Sequence, residues 1–273
     1  MSATAANPPA LLLVGHGSRE ATGNDEFRQF VADFRAEQDW PVVEEAFIEF
    51  ADPLVPEGLD RAAARSDEVV VLPLILNAAG HVKAEIPALV AEARERHPNV
   101  HFRIARHLGA GQTAVALLQE RLKGAMAALD RPDPANTGLV LLGRGSSDPA
   151  ANAEVAKLSR LLYEASDHDE VALAFTGVTH PRLEGVVQRL DRLGMRQIVV
   201  LPHYLFTGTL MERIGRQVEH LRGQYPGLRF ALADYYGNDR AVRDWAAERA
   251  GEALSSEAVM LECDGCPYRI AAA

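Results

Sequence analysis

Short apolar runs rich in Val, Leu and Ile alternate along the chain with longer stretches whose apolar positions recur every three or four residues. That alternation predicts β-strands joined by amphipathic helices, the pattern of βα units built on a parallel sheet. In the first half, strands are expected at 10–14, 42–50, 68–76 and 100–105, and helices at 20–38, 54–65, 82–96 and 112–129. The second half runs in the same order, with strands at 138–142, 171–177, 197–205 and 228–233 and helices at 150–165, 183–193, 210–225 and 240–254. The run from Glu68 to Leu76 is apolar on both faces, as a central strand covered by helices on both sides must be. Pro73 and Pro202 remove a ladder donor, so they belong at the carboxyl ends of their strands, the edge where open α/β sheets bind ligands.

The two halves are near copies. Leu12-Leu13-Val14-Gly15-His16-Gly17-Ser18 returns as Leu141-Leu142-Gly143-Arg144-Gly145-Ser146 when Gly15 is laid on Gly143, and Arg144 then stands where His16 stood. The same register, about 128 residues on, pairs Phe47 and Asp52-Pro53 with Phe175 and His180-Pro181. After a one-residue slip, Val70-Val71-Leu72-Pro73 pairs with Val199-Val200-Leu201-Pro202. The repeat divides the chain into lobes at 9–130 and 138–255, joined by a proline-rich polar linker and followed by a tail, 256–273. One half holds imidazoles and the other a permanent cation, which suggests two lobes facing one ligand with different duties.

Composition narrows the function classes. Hydrophobic residues at 48% and charged residues at 24% are the balance of a soluble globular chain, with no run that spans a bilayer. Residues 1–9 lack the basic start and apolar stretch of a signal peptide, so a cytoplasmic protein is expected. A net charge of −10 argues against nucleic acid as a partner but leaves an anionic small ligand open, since local cations decide that. Both cysteines, Cys263 and Cys266, sit in the tail, so no disulfide framework holds the cores. A single C-x-x-C supplies two thiolates, half of a zinc or iron–sulfur centre; a homodimer would supply four, and an unliganded tail is the other reading.

His16 is lifted off the first strand on a Gly-flanked turn, and His81 emerges in Asn77-Ala78-Ala79-Gly80-His81 after the third strand, on the same sheet edge. Glu49, late in the second strand, either brings a carboxylate to that rim or is a solvated strand end. A His, His, Glu set suits a borderline divalent metal such as Co, Fe, Ni or Zn. Ser18 reads as a helix cap or part of an anion-binding turn. Arg144 cannot act as a base near neutrality and suits carboxylate recognition. His180 and His203 at strand ends are read as auxiliary contacts or local hydrogen-bonding groups, and His97, His101, His107, His168 and His220 as surface residues. Two other functions stay open on these residues: a metal carrier without catalysis, and a flavodoxin-like module for a phosphate-bearing ligand.

Gly15-His16-Gly17-Ser18-Arg19, Phe47 to Pro53, Leu72-Pro73-Leu74 with Ala79-Gly80-His81-Val82, and Gly143 to Pro149 together resemble the class II tetrapyrrole chelatases. Within that family the chain is similar to the long, two-lobed sirohydrochlorin cobaltochelatases and the related ferrochelatases of sirohaem synthesis. The resemblance implies two flavodoxin-like lobes with parallel four-stranded sheets, an active-site cleft between them, and ATP-independent insertion of Co²⁺, or next Fe²⁺, into sirohydrochlorin. It implies that His16 and His81 are catalytic, with Glu49 as a third metal contact. The carboxylate-fringed substrate would call on Ser18, Arg19, Lys83, Arg144 and Arg213, any of which is otherwise a solvated turn or helix residue. Cys263 and Cys266 match a Cys pair in the tails of long members, which implies an iron–sulfur cluster. The chain lacks the His-rich stretch that precedes that pair in some members.

Overall fold

The computed structural model describes residues 8–255, and the strands and helices expected from the apolar pattern occur among them in the expected order. In one sheet β1 (Ala10–Gly15) lies between β2 (Val42–Phe47) and β3 (Glu68–Pro73), with β4 (His101–Ile104) beyond β3, all parallel. In the other, β5 (Thr137–Gly143) lies between β6 (Glu170–Phe175) and β7 (Gln197–Pro202), with β8 (Arg229–Leu232) beyond β7. The helices are α1 (Ala21–Glu37), α2 (Val55–Ala63), α3 (Ile86–Arg96) and α4 (Gln112–Ala127), then α5 (Pro149–Glu164), α6 (Leu183–Arg192), α7 (Thr209–Gln224) and α8 (Arg240–Leu254).

The central strands are the most apolar segments and the most buried: Ala10, Leu11, Leu12, Leu13 and Val14 are fully removed from solvent, as are Ile198, Val199, Val200 and Leu201. Full burial of each Val, Leu or Ile among them contributes about 1.5–3 kcal/mol, so the strand carrying most of them takes the middle of the sheet. On α1 the buried residues Phe27, Phe30, Val31 and Phe34 follow the i, i+3, i+4, i+7 rule, and on α6 Leu183, Val186, Val187 and Leu190 repeat it. The edge strand β2 carries Glu44 and Glu45, charges that discourage pairing with a further strand.

The compact units do not follow the sequence repeat. One joins the described residues up to Leu108 to those from Arg240 on, and the other runs from Gly109 to Asp239. The helix after each fourth strand is therefore exchanged: α4 packs on β7, β8 and α5, whereas α8 packs on β3 and β4. On the first unit Trp245 of α8 is buried, and Arg243 forms two bonds, of 2.8 and 2.9 Å, to the carboxylate of Glu37. On the second, Arg121 of α4 donates to the carbonyls of Tyr235 and Tyr236 and to Asp239. The apolar pattern places each helix and marks its buried face but does not name the sheet that covers it, so the boundaries expected at 130 and 138 differ from those of the units.

Smaller departures have local causes. β2 ends at Phe47, short of residue 50, because the chain turns there through Phe50 at φ 64°. β3 ends at Pro73, and Leu74 resumes with a 2.8 Å bond to the Val14 carbonyl. His107 and His168, expected on the surface, are buried at 8% exposure each. Burial lowers the pKa of His168, against the opposing pull of Asp167 and Asp169. His97 is half-buried on Asp60 at 2.7 Å, while His101 and His220 are exposed as expected. Among the described residues no helix is long and apolar enough to cross a membrane.

Candidate metal centre

His16 is the first residue beyond β1, and the glycine after it decides what comes near. Gly17 has φ 86°, and a Cβ there would stand 1.7 Å from the carbonyl oxygen of Glu49. Only glycine lets the two loops touch. With that contact allowed, Ile48 N–H donates to Gly15 O at 2.9 Å and Glu49 N–H to His16 O at 3.1 Å. Glu49 is thus carried to the rim by the loop after β2, and not by the strand alternation expected for it.

His81 lies in a short π-helical turn, His81–Glu85, that leads from the loop after β3 into α3. Its ring centroid is 4.9 Å from that of His16, with the two planes at 88°. Glu49 Oε1 is 3.7 Å from His16 Nδ1. One ligand atom from each of His16, Glu49 and His81 can be chosen so that all lie within 4.8 Å of one another. Side-chain exposures of 30%, 40% and 37% leave the cluster open to solvent and to exchange.

The imidazoles are oriented through their Nδ1 atoms. His16 Nδ1 is 3.0 Å from the Gly17 carbonyl, which can only accept, so Nδ1 carries a proton and, in the neutral ring, Nε2 carries the lone pair. His81 Nδ1 is 2.6 Å from Glu85 Oε2. Two imidazoles and a carboxylate form a borderline donor set, and three protein ligands leave coordination positions for an incoming group.

The other unit preserves the scaffold and lacks the cluster. Thr176 N–H donates to Gly143 O and Gly177 N–H to Arg144 O, the bonds made by Ile48 and Glu49, so Arg144 replaces His16 and Gly177 replaces Glu49. The bond from Lys83 N–H to Ala79 O reappears as Glu212 N–H to Gly208 O, which lays Leu210 on His81. Arg144 and Arg213 are exposed and both act electrostatically on Tyr204, whose pKa burial pushes up to about 12 against the Thr176 hydrogen bond and these two cations. In the first unit the Arg19 guanidinium lies 4.9 Å from the Phe50 ring centroid, and Lys83 is half-buried.

Ser18 is not the cap of α1. Its N–H donates to Asn24 Oδ1 and its carbonyl accepts from Asn24 Nδ2, both at 2.8 Å, and Ser146 and Asn152 repeat the pair at 2.9 and 2.8 Å. With its N–H spent on Asn24, Ser18 adds no backbone donor to an anion-binding nest, which weighs against the phosphate-ligand alternative. Sequence reasoning missed Asn24, though its recurrence as Asn152 was a signal, and missed Glu85, four residues after His81. Of the second-half histidines, His180 is exposed, and His203 is buried with Nδ1 2.7 Å from the Tyr236 hydroxyl, a local bond. Cys263 and Cys266 lie outside the described residues.

The description "CbiX" is that of the family matching residues 10–125 and again 138–253. The chain is 39% identical over 263 residues to the sirohydrochlorin cobaltochelatase of Priestia megaterium, covering 96% of this chain and 85% of that one. It is 29% identical to the sirohydrochlorin ferrochelatase of Bacillus subtilis, over 96% of this chain and 98% of that one. The solved structure of SirB from Bacillus subtilis with Fe³⁺ superposes with a TM-score of 0.80 at 30% identity, covering 91% and 96% of the two chains.

Proposed function

Because the chain belongs to the CbiX family, we propose that it inserts a divalent metal, Co²⁺ first and Fe²⁺ next, into sirohydrochlorin without ATP. The observation that carries this reading is the open cluster of His16, Glu49 and His81, stripped to Arg144, Gly177 and Leu210 in the other copy. Three partly exposed ligands hold an ion without enclosing it, so pyrrole nitrogens can replace protein donors one at a time. Glu49 offsets one charge of the ion. As the metal leaves, His16 and His81 regain their lone pairs and take up the two protons that the ring must shed, since an imidazole nitrogen can serve in turn as metal ligand and proton acceptor. Arg19, Lys83, Arg144 and Arg213, together with the Ser18 hydroxyl, meet the substrate's carboxylates, and this cation set lets a protein of net charge −10 bind a polyanion. The same reading assigns the reaction to the cytoplasm.

The test is anaerobic absorbance of sirohydrochlorin with Co²⁺ or Fe²⁺, with and without the protein. Protein-dependent insertion is expected, reduced about 10²–10⁴-fold in His16→Ala and in His81→Ala, as loss of a proton-transferring ligand requires. No acceleration over background with either ion would overturn the reading.

A further inference from the structure

The helical turn that bears His81 contains one residue more than its counterpart, and that residue has a consequence for the imidazole. Upstream, the segments after β3 and β7 correspond at a step of 129 residues, since Leu74 N–H to Val14 O matches His203 N–H to Leu142 O and Lys83 N–H to Ala79 O matches Glu212 N–H to Gly208 O. Downstream, the buried faces match at a step of 128: Ile86 with Ile214, Val90 with Val218, Ala93 with Leu221. Between Lys83 and Ile86 stand Ala84 and Glu85, whereas between Glu212 and Ile214 stands Arg213 alone. The extra residue is absorbed where Ile86 N–H bonds to His81 O, five residues back, widening the turn from α to π. In the second copy the corresponding segment is part of the regular helix α7.

A π-turn gives up regular α-helical hydrogen bonding, and here it is confined to the copy that keeps the metal ligands. It also supplies the carboxylate: Glu85 Oε2 lies 2.6 Å from His81 Nδ1. As an exposed pair, at 37% and 45%, the contact contributes little to stability. Its effect falls on the ring, because a carboxylate on Nδ1 holds the proton there and leaves Nε2 as the lone-pair donor. The Gly17 carbonyl does the same for His16. We propose that Glu85, carried on the one-residue-longer π turn, is the positioning residue of His81, fixing the imidazole tautomer and ring direction that the metal needs.

This rests on the metal-insertion reading but is tested apart from it, by Co²⁺ binding to the full chain without tetrapyrrole and by ¹⁵N NMR of the His81 ring in the metal-free protein. Glu85→Ala is expected to weaken Co²⁺ affinity about 10- to 100-fold, the usual effect of removing a partner of a ligating histidine. It should also convert His81 from the Nδ1–H form to a mixture of tautomers. Glu85→Gln, whose amide oxygen still accepts, should restore most of the affinity and the single tautomer, and both variants should melt within a few degrees of the parent. Unchanged Co²⁺ affinity in Glu85→Ala would overturn the proposal. So would weakened affinity with the tautomer unchanged, which would make Glu85 a direct ligand. If the parent binds Co²⁺ in this manner yet never metallates sirohydrochlorin, the functional reading falls while the positioning role stands.

Discussion

At Gly17 the permitted conformation of one residue determines whether His16 and Glu49 meet. Replacement by Ala would place a methyl group 1.7 Å from the Glu49 carbonyl and force an L-residue to φ 86°. The conformational term alone costs about 1–2 kcal/mol, and the clash adds to it. Gly17→Ala should therefore lower the urea midpoint and abolish stoichiometric Co²⁺ binding; unaltered values in both would show that the loop contact is dispensable. His203 offers a test by pH. Burial lowers its pKa to about 3, so between about pH 6.5 and 3 the unfolded chain holds a proton that the folded one refuses. Stability contributed by the neutral ring is intact above that window and falls as pH falls through it, by up to about 1.4 kcal/mol per unit. Urea unfolding at pH 7, 6 and 5 should show a shallower pH slope in His203→Leu than in the parent, with His168 contributing equally to both. Parallel slopes would mean that His203 is not held neutral.

Among the elements, the π-turn His81–Glu85 stands out because its counterpart in α7 is an ordinary α-helical start. Deleting Ala84 would give the first copy the residue count of the second. The core contacts of Ile86, Val90 and Ala93 hold α3 in place, so the change would turn His81 by about one residue, on the order of 100° around the helix. The expected outcome is metal insertion at background with thermal stability equal to or above the parent. Insertion at the parent rate would show that the π geometry does not aim the ligand. The strand ends carry a related lesson. Pro73 and Pro202 stop the ladder at the carboxyl edge, and the loops that lead into the helical turns bearing His81 and Arg213 begin just beyond them.

Across the whole molecule, the exchange of α4 and α8 makes each compact unit depend on distant chain. Trp245 is 1% exposed and helps cover the sheet formed by β1 to β4. Trp245→Ala should cost about 3–5 kcal/mol, measured by chemical unfolding. Because the helix that bears it packs against β3 and β4, that loss should also weaken Co²⁺ binding at His16 and His81, far away in sequence. A fragment ending at residue 130 would keep α4 without β7 and β8 and leave β3 and β4 without α8. It should fail to form a stable monomer by circular dichroism and size-exclusion chromatography. A folded monomeric fragment would show that the first sheet is complete without α8.

Element type and order were legible from local pattern, because burial on both faces of a strand or one face of a helix writes its own period into the sequence. The repeat was equally legible, and with it the contrast between His16 and Arg144, which by itself points to asymmetric chemistry in the two copies. Glu49 could be named but not placed, since its approach to His16 depends on a backbone contact between two loops. The partnership of Glu85 with His81, the burial of His107, His168 and His203, and the sheet covered by each of α4 and α8 were settled only by tertiary structure. All of these turn on which surfaces meet across long stretches of chain, and a periodic apolar face records that it will be covered without recording by what.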